Sequence, residues 1–198
     1  MIKRLNYLFI IIILTNCQSE KNCPGFPEQD LSWIPYKLNK EIQFSNGIDT
    51  TDFVFKVAFV PQSYNTKDDC WIETVFETGS NNELELRIEI HSYYWEKSTD
   101  YNYWFLNSEN SIDPNLPREY LDEFNFAKIN GVINKNILNE IEINDNIFKN
   151  VISLELDTNN LKNPASENPR IWKIMIADSI GLIQFYDRST HINWTIIK

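Results

Sequence analysis

The side chains able to do chemistry here are acids on strand-like stretches, two histidines and three cysteines. Glu83-Leu84-Glu85-Leu86-Arg87-Ile88-Glu89-Ile90 alternates charged and aliphatic residues without a break. At period two this puts the charges on one wet face and the aliphatics on one buried face. Paired carboxylates such as Glu73 and Glu77 are the raw material of a glycosidase. That chemistry needs two facing acids in unlike environments, one held protonated by an apolar pocket, and the flanking residues supply only an ordinary strand face. His91 and His191 stand far apart in the chain, and no Cys or His cluster has metal-ligand spacing. The expectation is therefore a protein that is not an enzyme, with no metal and no cofactor.

The richest recognition chemistry lies in Tyr93-Tyr94-Trp95 and Tyr101-Asn102-Tyr103-Trp104-Phe105, joined by a polar turn around Lys97 to Asp100. Aromatic rings stack on sugar faces and peptide side chains, and they also fill cores and cross-strand pairs. Alternation sends Tyr101, Tyr103 and Phe105 to one face and Asn102, Trp104 and Leu106 to the other, so at least one aromatic row is buried or offered to a partner. Tyr93, Trp95, Tyr101, Tyr103 and Trp104 form the candidate ligand surface. A core role for the same rings is the competing reading.

Where these residues work is set by the start of the chain. Lys3 and Arg4 precede an unbroken apolar run, Leu8 to Leu14, and Leu14-Thr15-Asn16-Cys17 closes it. This is the layout of an export signal. The run falls well short of the ~20 apolar residues a membrane-spanning helix needs. Leu14-Thr15-Asn16-Cys17 resembles the bacterial lipobox, with Asn16 where the pattern prefers Gly, Ala or Ser. The resemblance implies acylation of Cys17 and a membrane partner reached through that anchor. Several acyl chains hold a protein firmly where a single chain does not. Gln18 stands where an inner-membrane retention signal would place Asp, so the outer membrane is the expected address, on either its periplasmic or its surface face. The organisation expected is a signal over 1–16, a lipidated Cys and tether over 17–35, and a single mainly antiparallel β domain over 36–198; Pro24, Gly25, Pro27 and Pro35 block regular structure in the tether, and Trp33 and Tyr36 mark where it docks.

The net charge of −10 becomes more negative once Lys3 and Arg4 are removed. Such a surface repels phosphate backbones, so no nucleic-acid partner is expected. With Cys17 acylated, Cys23 and Cys70 remain as one even pair for an oxidising envelope, the disulfide candidate, with two free thiols as the alternative. A bond would close a loop of ~48 residues, which the chain-entropy model values at ~4 kcal/mol.

Strands account for most of the remaining pattern. Phe53, Phe55, Val57 and Phe59 alternate after the turn signal Asn46-Gly47, and Pro61 ends that run. Ile72, Thr74 and Phe76 share a face and lead through Gly79-Ser80-Asn81-Asn82 into the Glu83 to Ile90 strand. A symmetric hairpin about that turn sets Glu73 opposite Arg87. Leu116, Tyr120, Leu121 and Phe124 fall on one side at helical spacing behind Pro117, which predicts one short packed helix to about Phe126. Asn130-Gly131 and Asn144-Asp145-Asn146 are further turns, and the chain closes with Ile171 to Ala177, Ile180 to Tyr186 and Ile192 to Ile197.

Ile176-Ala177-Asp178-Ser179-Ile180-Gly181-Leu182-Ile183-Gln184-Phe185, followed by Trp194, resembles the closing hairpins of small Bacteroidota lipoproteins of unknown function, with their "YYAKGVGLIKF…G…W" ending. Ile147-Phe148-Lys149-Asn150-Val151 resembles their "Y-x-N-V" strand start. Asp178 stands where those proteins commonly carry Lys, and Met175 and Ile176 replace their usual tyrosines. The resemblance covers about the last fifty residues. It implies an envelope location and a curved antiparallel sheet, and it transfers no catalytic residue. Gly181, between two apolar runs, also fits a bulge or sharp bend.

The fold class expected is mainly β, a curved antiparallel sheet, half-barrel or sandwich with one short packed helix. The expected function is a non-catalytic envelope lipoprotein that binds a protein or glycan or serves envelope structure. The alternative is a carrier of a lipid or other hydrophobic ligand in the concavity of the sheet.

Overall fold

The computed structural model describes residues 28–37, 39–58, 62–65, 70–80, 84–94, 96–107, 120–156 and 170–197. A short 3-10 helix, Glu28–Trp33, precedes thirteen strands: β1 (Glu41–Ser45), β2 (Thr50–Ala58), β3 (Gln62–Asn65), β4 (Cys70–Ser80), β5 (Leu84–Tyr93), β6 (Ser98–Asn107), β7 (Tyr120–Ile129), β8 (Val132–Ile133), β9 (Ile137–Ile143), β10 (Asn146–Glu155), β11 (Ile171–Ala177), β12 (Gly181–Asp187) and β13 (Ile192–Ile196). The expected mainly β class holds.

Every described pairing is antiparallel, and the strand order is β8-β7-β6-β5-β4-β2-β1-β13-β12-β11-β10-β9. This is a meander in which the first and last strands pair with each other, Phe44 opposite Ile196. β3 continues along the edge of β4 that β2 vacates: β2 pairs with Phe76 to Ser80, β3 with Cys70 to Glu73. Register shifts between Phe55 and Val57, Phe105 and Leu106, Ile171 and Lys173, and Met175 and Ile176 curl the sheet until two layers face one another. β7 comes to lie against β10 and β11, while β8 and β9 remain edges, so the sheet is not closed into a barrel.

Turn chemistry fixes much of this order. Asn130-Gly131 and Asn144-Asp145 are two-residue hairpin turns with positive φ at both positions (50° and 83°, 50° and 61°), the geometry that matches strand twist. The three closing strands lie where the sequence places them.

Three expectations change. The residues described from Tyr120 onward are strand, not helix: Asp122, Phe124 and Phe126 point inward while Glu123 and Asn125 are exposed. Period two therefore prevails over the helical spacing, because Phe126 stacks on Tyr101 of β6 at 4.4 Å only from a strand. The β4–β5 hairpin keeps the predicted faces, with Ile72, Thr74, Phe76, Leu84, Leu86, Ile88 and Ile90 buried. Its register, however, sets Glu73 opposite His91 and Glu77 opposite Arg87. Gly79 and Ser80 pair with Val54 and Phe53 of β2, which extends β4 through the presumed turn and moves the hairpin by four residues. Tyr93, expected to open a separate hairpin, ends β5 instead, and the turn follows at Tyr94 to Lys97.

The third change concerns 28–35, assigned above to the tether: Trp33 and Tyr36 dock as expected, but the whole segment around them is built into the core. Trp33, Ile34 and Tyr36 are core residues, and the segment is held from both layers. Tyr101 Oη donates to the Asp30 carbonyl at 2.9 Å and Tyr103 Oη to the Trp33 carbonyl at 3.2 Å. From the facing layer, Ser179 N donates to the Ser32 carbonyl at 2.7 Å, and Leu182 N to Tyr36 Oη at 2.6 Å. The Asp30 carboxylate, 5 % exposed, accepts from Thr99 Oγ1 at 2.6 Å and pairs with Lys128 Nζ at 2.7 Å. A segment outside any ladder brings carbonyls into the core, and tyrosine hydroxyls satisfy them there. Gly181, at φ 87°, serves the same contact: a Cβ there would lie 2.2 Å from Tyr36 Oη.

Candidate functional site

The outward face of β4, β5 and β6 carries the chemistry the inward face lacks. On β5, Arg87, Glu89, His91 and Tyr93 alternate with the buried aliphatics. The register sets Arg87 beside Trp104, Glu89 beside Asn102 and His91 beside Asp100 on β6, and His91 beside Glu73 and Tyr93 beside Trp71 on β4. β7 extends the surface with Glu123 opposite Trp104 and Asn125 opposite Asn102. All of these side chains are partly or fully exposed.

Two features stand out in this grid. His91 Nε2 lies 3.4 Å from Glu73 Oε1 and 3.4 Å from Glu89 Oε2. Arg87 Nε donates to Glu89 Oε1 at 2.6 Å, leaving Oε2 turned to the histidine. The Glu89 carboxylate raises the His91 pKa against the opposing effect of burial, with Glu73 and Asp100 adding to the rise. Glu89 itself is lowered, His91 and Arg87 outweighing its burial, and burial raises Asp100. The second feature is aromatic: Trp71 and Tyr93 lie 6.5 Å apart in near-parallel planes, and the His91 ring sits 6.1 Å from Trp71.

The five aromatic candidates divide. Tyr101 and Tyr103 are 0 % exposed and spend their hydroxyls on the 28–37 segment, so they belong to the core and not to a ligand surface. Tyr93 and Trp104 stand half-buried on the outward face. Trp95, Cys17 and Cys23 lie outside the described residues, as does the Cys70 side chain, and the anchor and disulfide expectations lie there with them. Glu73 and Glu77, weighed as an acid pair, stand in register with different residues of β5, His91 and Arg87.

The gathering of Glu73, Glu89 and His91 escaped the spacing argument. Glu89 and His91 are two apart on a strand and so share a face, which the sequence shows. Glu73 joins them only through the cross-strand register.

The chain matches no family model, no curated protein and no solved structure.

Proposed function

We propose that this chain is a non-catalytic lipoprotein of the outer membrane, anchored through Cys17, that binds a glycan on the outward face of β4 to β7. The observation that carries the binding reading is the segregation of side chains across the sheet. Half-exposed Trp71, Tyr93 and Trp104 stand among carboxylates and the amides of Asn102 and Asn125. Ring faces take up the C–H face of a sugar, and acids and amides take its hydroxyls. Glu73, Glu89, Asp100 and Glu123 make the face acidic, which favours neutral or amino sugars over anionic ones. The carrier alternative asks for an empty concavity, whereas Phe44, Phe55, Leu86, Ile88, Tyr101, Tyr103 and Phe105 fill the described interior at 0 % exposure.

Titration of the full chain in detergent with a panel of neutral and amino-sugar oligosaccharides should quench tryptophan fluorescence saturably for at least one of them. A panel without any saturable response removes the glycan reading. For the anchor, Cys17→Ala should move the protein from the membrane pellet to the soluble fraction. A variant that still sediments with membranes at high salt places the anchor elsewhere.

A further inference from the structure

The outward face also presents three ligand-type atoms that converge from two strands. Glu73 Oε1, Glu89 Oε2 and His91 Nε2 lie within 4.8 Å of one another, with both oxygens 3.4 Å from the nitrogen. Bonds of ~2.0 to 2.1 Å from a tetrahedral ion put neighbouring ligand atoms ~3.3 to 3.4 Å apart, so these separations are those of tetrahedron edges. Nε2 is buried, and its nearest polar neighbours are those two carboxylate oxygens, at ion-pair distance and without good hydrogen-bond geometry to either. We propose that Glu73, Glu89 and His91 bind one divalent cation of the zinc class, with the fourth position open to solvent or to a ligand group.

The surroundings suit that role. The donor set is one imidazole and two carboxylates, a set zinc favours, whereas calcium and magnesium prefer shells of six or more oxygens without imidazole. Arg87 holds Glu89 Oε1 and thereby aims Oε2 at the histidine, the outer hydrogen bond that orients a ligating carboxylate. The antiparallel register of β4 and β5 holds Glu73 and His91 directly opposite each other, and Glu89 follows on the same face. Asp100 adds negative charge from β6. The site stands on two paired strands and needs no loop to form it.

The test is calorimetric titration of the untagged full chain in detergent with zinc ion alone at pH 7.5, beside His91→Ala and Glu73→Gln. One zinc per chain with a dissociation constant of roughly 10 μM or below is expected, weakened at least roughly tenfold in each variant. Thermal melting gives a second readout, since an ion bound only to the folded state raises the midpoint in the wild type and loses that effect in the variants. No saturable binding below about 1 mM, or an affinity unchanged in either variant that folds, overturns the site. Glu73→Gln keeps side-chain volume and hydrogen bonding, so the test stands even if His91→Ala does not fold.

Discussion

Strand β6 has two faces that differ in every physical respect. Tyr101, Tyr103 and Phe105 point inward at 0 % exposure, while Asp100, Asn102 and Trp104, one residue out of phase, are partly exposed on the outward side. The inward row meets Phe124, Phe126 and Phe185 ring to ring and gives its hydroxyls to the 28–37 segment. The outward row meets Arg87, Glu89, His91 and Glu123. Aromatic content alone therefore says little about recognition. Rings that carry hydroxyls to orphaned carbonyls are structural, and rings set among ionised groups are the ones the proposed binding face uses.

Substitutions on the two faces should separate accordingly. The largest effect belongs to Tyr103→Ala, which empties a fully buried site and strips the Trp33 carbonyl of its donor. It should destabilise the fold by ~3 to 5 kcal/mol in chemical denaturation. A loss below about 1 kcal/mol would place this ring outside the core.

Next comes an acid on the inward face of β7. Asp122 on β7, 4 % exposed, accepts from Ile171 N at 2.7 Å and so joins the two layers. Burial pushes its pKa from 3.8 up to about 6, against the lowering by the Ile171 and Arg170 backbone groups. Because the folded state holds this proton more tightly than the unfolded chain, the Asp122 contribution to stability falls as pH rises from about 4 to about 6. Asp122→Asn keeps an acceptor oxygen and does not titrate. Its stability relative to wild type should therefore rise across that window by about 2 kcal/mol, read from denaturation midpoints at pH 4, 5 and 6. A difference between Asp122→Asn and wild type that stays flat across that window would contradict a buried Asp122 that holds its proton in the folded state.

How much of this was legible in the sequence follows from what each pattern constrains. Period-two alternation in Glu83 to Ile90 gave the faces of β5, because a one-residue slip would move every side chain to the other side. The pairing partner of Glu73 was not legible, because Gly79 and Ser80 read locally as a turn while Val54 and Phe53 of β2 draw them into a ladder. Leu116 to Phe124 satisfied a helical spacing, yet Phe124 and Phe126 also alternate, and only tertiary packing decides between them. Pro27 and Pro35 argue against regular structure over 28–33, yet Glu28–Trp33 forms a short 3-10 helix. Trp33 and Tyr36 were legible as the docking point, but the burial of Asp30 and the hydrogen bonds that hold the segment were not, since the partners lie some seventy or more residues away in the chain. For the candidate site, Glu89, His91 and Trp104 were assignable to one face each, and their assembly with Glu73 and Trp71 awaited the register.

The central claim is that the outward row of β6 binds and the inward row holds the fold. Trp104→Ala tests it most directly when glycan-induced fluorescence quenching and the thermal midpoint are measured on the same full-length sample. The account predicts that the quenching response is lost while the midpoint stays within a few degrees of wild type. A midpoint lowered as far as in Tyr103→Ala, or a glycan response that survives the substitution, would contradict it.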